Sequence, residues 1–255
     1  MLRLAHFTVK EYLVAVHKRN SAISAYSVNE QLANTFIAQA CLAYLLQFHT
    51  DIVEMEEFPL ACYAAKYWIK HAKSGNIEVV QQAIMQLLQL EEKPYVMWVQ
   101  LYDLDYPWIQ VDLQRSPTKV SPLYYASLAG LDETVQLLLH NTNVNVQGGK
   151  HSNALQAASA EGHKDIVLLL LEHKADVNMQ GGQYGNALQA ASAEGHKDIV
   201  LLLLECKADV NMQGAWYGNA LQAASAGGHK DIVLDRKSTR LNSSHLRTSR
   251  MPSSA

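Results

Sequence analysis

His163, His196 and His229 recur at a spacing of 33 residues. Histidine is a common zinc ligand, so metal binding is the first chemistry to weigh. A fixed period of this size means stacked supersecondary units, and stacking sets successive copies roughly 10 Å apart, the packing distance of helices. Zinc ligands must converge at about 2 Å on one ion. The three histidines are therefore expected as structural turn residues, one per unit. His6 and His71 are expected to be packed or hydrogen-bonded. Cys41, Cys62 and Cys206 are scattered, with no CxxC spacing, which suits a reducing compartment and not a disulfide framework or zinc site. The sole Gly-Lys pair, Gly149-Lys150, is followed by His151 and is not part of a G-x-x-x-x-G-K-[ST] phosphate cradle. HExxH, GxSxG and HRD signatures are absent as well. The sequence therefore names no catalytic residue, cofactor or metal.

The elements that carry these residues are tandem copies. Asn153–Gln180 and Asn186–Gln213 differ at one of 28 positions, His173 against Cys206. A third copy runs from Asn219 to Leu234, and a degenerate copy from Ser121 to Gln147. Such a unit cannot bury its own apolar face and must lean on its neighbours. Asn153, Asn186 and Asn219 are good helix N-caps. Gly130, Gly162, Gly195 and Gly228 stand where a helix ends in the left-handed conformation. Asp165, Asp198 and Asp231 open the next helix, where a negative charge meets its dipole favourably. Ile166, Val167, Leu169 and Leu170 are expected to build the core between copies.

The unit NALQAASAEGHKDIVLLLLExKADVNMQ resembles ankyrin repeats, over about residues 121–234 and about three and a half units. The resemblance implies an all-α solenoid of helix–turn–helix units joined by hairpin-like loops. Pro122 keeps the form usual in that family, and the three asparagines stand where its threonine is usual. Its glycine after the outer helix is Lys174 in one copy and Lys207 in the next, so both lysines are expected in left-handed geometry. Leu168 and Leu201 replace the polar Gln136 of the degenerate unit; partial burial is the expectation, an exposed docking stripe the alternative.

Residues 1–115 read as mostly helical. Thr8–Glu11 and Ser27–Glu30 both fit the reciprocal S/T-x-x-E capping box. After the second, Leu32, Phe36, Ile37, Ala40, Cys41, Tyr44 and Leu45 form an apolar stripe at helical spacing. Pro59 opens FPLACYAAKYWIKHA, Gly75-Asn76 ends that helix and starts another over 77–90, and Pro94 opens a last one through Tyr102. RLAHFTVKEYL (3–13), CLAYLL (41–46) and FPLACYAAKYWIKHA (58–72) resemble the segment after the nucleotide-binding core of fungal NACHT-type signalling ATPases. That resemblance implies a winged-helix remnant at 1–20, a helical linker domain at 21–117, repeats at 118–234, and a chain that is the C-terminal part of a longer protein. Arg236–Ala255 carries five arginines and lysines and no acid. It resembles translated sequencing-adapter sequence; the alternative is a basic disordered tail that touches nucleic acid or acidic lipid.

The copies differ from one another mostly in their loops: Lys150-His151-Ser152, Gln183-Tyr184-Gly185, Trp216-Tyr217-Gly218. The resemblance implies protein binding by these tips and by the inner helices. Candidate tip residues are Met179, Gln183, Tyr184, Met212, Trp216 and Tyr217, aromatics being common interface hot spots and methionines adaptable. Candidate inner-helix residues are Gln156, Ser159, Gln189, Ser192 and Gln222. Basic charges gather on no repeat face, which argues against nucleic acid, and no stretch is long enough to span a membrane. The expectation is a cytoplasmic, noncatalytic recognition module, a monomer in isolation, acting as sensor or regulatory part of a NACHT-type protein. The alternatives are a fragment of a nucleotide-dependent ATPase whose catalytic domain lies upstream, or a nonfunctional truncated product.

Overall fold

The computed structural model describes residues 29–48, 58–89, 92–109, 120–214 and 216–234. The expected winged-helix remnant, the Thr8–Glu11 box, His6 and the basic tail lie outside them. Among the described residues the fold is all-α, with twelve helices; the β-type pairings there are isolated bridges, Gly181–Gly185 and Gly214–Gly218. Two compact units result, one over 29–103 with 108–109 and one over 104–107 with 120–234.

The first unit contains α1 (Glu30–Leu45), α2 (Ala61–Ser74), α3 (Ile77–Leu87) and α4 (Lys93–Leu101). Helix α1 starts on Asn29, whose Oδ1 accepts from the Leu32 amide at 3.1 Å. Glu30 is the first helical residue; Ser27 of the expected Ser27–Glu30 box lies outside the described residues. The apolar stripe also differs from expectation. The buried face is Thr35, Ala38, Cys41, Leu42 and Leu45, while Leu32 is 57% and Phe36 68% exposed. Close approach selects the small residues instead. Ala38 on α1 and Ala61, Ala64, Ala65 and Ala72 on α2 are all buried. A Cβ on Gly75 would lie 2.7 Å from Thr35 N and Oγ1, and that hydroxyl accepts from the Asn76 amide at 2.8 Å. Trp68 and Trp98 meet edge-on at 5.4 Å, and Trp98 Nε1 donates to the Ala65 carbonyl at 3.1 Å. His71 is held between Asn34 and Tyr63.

The second unit is a row of helix pairs: α5 (Pro122–Ala129) with α6 (Asp132–Leu139), α7 (Ala154–Glu161) with α8 (Lys164–Glu172), α9 (Ala187–Glu194) with α10 (Lys197–Glu205), and α11 (Ala220–Ala226) with α12 (Lys230–Leu234). First helices stack on first helices and second on second. Ser121, Asn153, Asn186 and Asn219 each cap the helix that follows. Gly162 is left-handed (φ +79°), and a Cβ on it would lie 2.6 Å from the His196 ring. That explains the recurring histidines. His163, His196 and His229 donate from Nε2 to the carbonyls of Leu128, Ala160 and Ala193 at 3.3, 2.9 and 2.8 Å, so each ties its unit to the preceding one.

A second tie runs along the loops. Asn145 Oδ1 accepts from the Asp176 amide at 2.8 Å and its Nδ2 donates to the Lys174 carbonyl at 3.4 Å. One unit on, Asn178 does the same to Asp209 and Lys207, at 2.7 and 3.4 Å. Lys174 and Lys207 are left-handed as expected, at φ +66° and +67°. Ile166, Val167 and Leu170 are buried between units. Leu168 is exposed and Leu201 partly buried.

Candidate functional site

Each loop between units closes on itself before the next inner helix. Gly181 N donates to the Gly185 carbonyl and Gly214 N to the Gly218 carbonyl, both at 2.9 Å; Gly148 N does so to the Ser152 carbonyl at 2.6 Å. The tight turn sends adjacent side chains to different places. Lys150, Gln183 and Trp216 hold the first position, His151, Tyr184 and Tyr217 the second.

The second-position rings form a stack. Tyr124 and His151 are 6.4 Å apart between centroids and 29° from parallel. His151 and Tyr184 are 5.6 Å apart at 10°. Tyr184 and Tyr217 are 6.3 Å apart at 11°. Tyr184 packs in a cluster with Ala160, Ala190, Ala193 and Ala223, and its hydroxyl donates to Glu194 Oε1 at 2.5 Å. The ring therefore spans its inner helix from the loop to that helix's last residue. Alanines leave the trough that the ring fills.

Several of the expected site residues are not at the surface. Tyr184 is only 8% exposed, so it is no free tip. Gln156, Ser159, Gln189 and Ser192 are buried. Gln156 Nε2 donates to the Met179 carbonyl at 3.0 Å. Gln189 Nε2 donates to the Met212 and Gly218 carbonyls at 3.0 and 2.8 Å. These Nε2 groups tie each inner helix to the next loop, while Gln156 Oε1 and Gln189 Oε1 are buried without a hydrogen-bond partner. Gln222 is exposed and completes a reciprocal capping box with Asn219. Met179, Met212, Gln183 and Tyr217 are partly buried, and Trp216 is 86% exposed.

Acids finish the site, and sequence reading missed them. Tyr124 donates its phenol proton to Asp105 Oδ1 at 2.5 Å and accepts from the His151 amide at 3.1 Å. Lys150 N donates to Asp105 Oδ2 at 2.9 Å. Burial, then the neighbouring carboxylate, pushes the pKa of Tyr124 and Tyr184 well above the usual tyrosine range, so both stay protonated donors. Burial, then the Lys150 charge, brings His151 down to about 4. Glu161 is raised by burial and then by Glu194. The one sequence signal for the stack was the 33-residue spacing of His151, Tyr184 and Tyr217. Nothing in that spacing pointed to Asp105 or Glu194. No group of histidines, cysteines or acids among the described residues could hold a metal ion.

A family model for ankyrin repeats matches residues 40–181 and 123–214. The chain belongs to the ankyrin-repeat family. The match reaches back to residue 40, into the helical unit that sequence reading treated as a linker. Ankyrin repeats are protein-interaction modules and are generally noncatalytic. Among curated proteins, this ankyrin chain is similar to azaphilone pigments biosynthesis cluster protein L of Monascus ruber, 39% identical over 185 residues. Those residues are 65% of this chain and 39% of that protein, so the chain spans about two fifths of its relative. No helix among the described residues is long and apolar enough to cross a membrane.

Proposed function

We propose that this ankyrin chain is a recognition module that grips another polypeptide through its outward loop row, as the sensor or regulatory part of a cytoplasmic NACHT-type signalling protein. The observation that carries the binding site is Trp216, 86% exposed beside a ring row that is tied down internally. An exposed indole offers a large apolar face for a partner to cover, which favours hot-spot behaviour. The outward positions Lys150, Gln183 and Trp216 vary while the helices behind them are nearly identical. Met179, Met212, Tyr217 and Gln222 flank that row.

A photo-crosslinking side chain placed at position 216 should capture a discrete protein from native extract, and one placed at Leu168 should not. Equal capture from both positions, or none from 216, removes the binding site. The signalling assignment rests on the 3–13, 41–46 and 58–72 motifs and is tested separately. The full reading frame should encode a G-x-x-x-x-G-K-[ST] motif ahead of them; a frame without one removes that assignment.

A further inference from the structure

The helical unit holds a polar cluster outside the site above. Asn34 on α1 and Tyr63 and His71 on α2 form one hydrogen-bonded line. Asn34 Nδ2 donates to the Glu30 carbonyl at 2.8 Å, which fixes the orientation of its amide. Its Oδ1 therefore faces His71 Nδ1, at 2.7 Å, and an oxygen there can only accept. His71 must carry its proton on Nδ1, so in the neutral ring Nε2 is a bare acceptor. Tyr63 Oη lies 3.0 Å from that nitrogen and donates to it. Burial, then the Lys70 charge, lowers the His71 pKa from its ordinary 6.5, which keeps the ring neutral near pH 7. The Tyr63 ring packs on Tyr67 at 4.9 Å and meets His71 at 6.1 Å between centroids. Tyr63 is 41% exposed, while His71 and Asn34 are partly buried.

We propose that Tyr63 is a covalent modification site, a phenol that takes up an acyl group from an activated ester or thioester, with His71 as its base and Asn34 positioning the imidazole. A hydroxyl, a base within hydrogen-bond reach and a third group that orients the base are the parts an oxygen nucleophile requires. In the step, Tyr63 Oη bonds to the acyl carbon while its proton passes to His71 Nε2. The bond from that carbon to the leaving oxygen or sulfur breaks, and the leaving group departs with the electron pair. The imidazolium then gives its proton to the leaving group or to water. Acyl transfer suits the arrangement better than phosphoryl transfer. A phosphoryl group passes through a loose transition state that is helped chiefly by cations around its oxygens. Acyl transfer to a neutral hydroxyl gains instead from removal of the proton. Burial, then Cys41 and Tyr67, holds the Tyr63 pKa above its ordinary 10.0. Free phenolate is therefore scarce, and the proton must leave as the new bond forms. The inference lies in the helical unit and is independent of the recognition reading.

The test treats the full chain with p-nitrophenyl acetate, in a Cys62→Ser background that removes the adjacent exposed thiol. Tandem mass spectrometry follows acetylation residue by residue. Tyr63 should be acetylated about a hundredfold faster than in the same chain carrying His71→Gln. Its rate should stay level between about pH 7 and 9, where an ordinary phenol gains about tenfold per unit as phenolate forms. Asn34→Leu should abolish most of the acceleration. Asn34→Asp keeps an acceptor for Nδ1–H and should retain it, with the acid-side fall in rate moved to higher pH because a carboxylate raises the imidazole pKa. Circular dichroism on each variant checks that the helices are kept. A Tyr63 rate that climbs about tenfold per pH unit with His71 intact, or one within about threefold of His71→Gln, overturns the inference. Equal rates in Asn34→Leu and Asn34→Asp remove the positioning role of Asn34.

Discussion

The helical unit and the repeat unit distribute the forces that hold their helices together differently. In the first, large rings fill the space: Trp68, Trp98 and Tyr95 are buried together, and contact with Gly75 fixes the approach of α1. In the second, the inner helices α7 and α9 are mostly alanine and serine, the outer helices bury small sets such as Ile166, Val167 and Leu170, and hydrogen bonds from Asn145, Asn178, His163, His196, Gln156 and Gln189 add a repeated fastening at the junctions. Stability in the first unit should be concentrated in few residues. In the second it should be spread over many small, repeated contributions.

Four measurements sharpen or break that contrast. Trp98→Ala should cost about 3–5 kcal/mol in the helical unit, read by denaturant unfolding, because it opens a cavity and removes a buried hydrogen bond; a loss under about 1 kcal/mol would show that the aromatic core is not the keystone. Second in size is an acid effect in the repeats. The His151 pKa is lowered from 6.5 to about 4. The unfolded chain therefore takes up a proton that the folded chain refuses. Stability is complete above about 6.5 and declines as pH falls toward about 4, by roughly 2–3 kcal/mol. His151→Tyr should flatten that decline in pH-dependent melting; an unchanged slope would place the loss elsewhere. Asn178→Ala removes two bonds between units and should cost about 1–2 kcal/mol, with hydrogen exchange speeding up at Asp209. Lys174→Gly should stabilise by about 1 kcal/mol, since φ +66° strains any residue with a Cβ; a lower melting midpoint would reject that.

The repeats were far more legible than the helical unit. Capping asparagines, left-handed glycines and lysines, and first-turn aspartates are local signals, and each is read within one turn of chain. The buried face of α1 was not legible, because apolar residues such as Leu32 and Phe36 lie outside while Ala38 lies within. Close packing there favoured small volume over hydrophobicity. The fate of the loop aromatics was equally hidden. Tyr184 reads the same whether it stands free or folds back, and what decides is Glu194, ten residues on, together with alanines from three units.

Asn145 and Asn178 make the same pair of bonds across successive junctions. These two junctions therefore share one fastening pattern. At the gene level, unequal exchange between the near-duplicate copies can insert or delete a whole unit without leaving a mismatched seam. Such an event lengthens or shortens the row of outward tips by one, giving the lineage a means of reshaping what it captures while the scaffold stays intact.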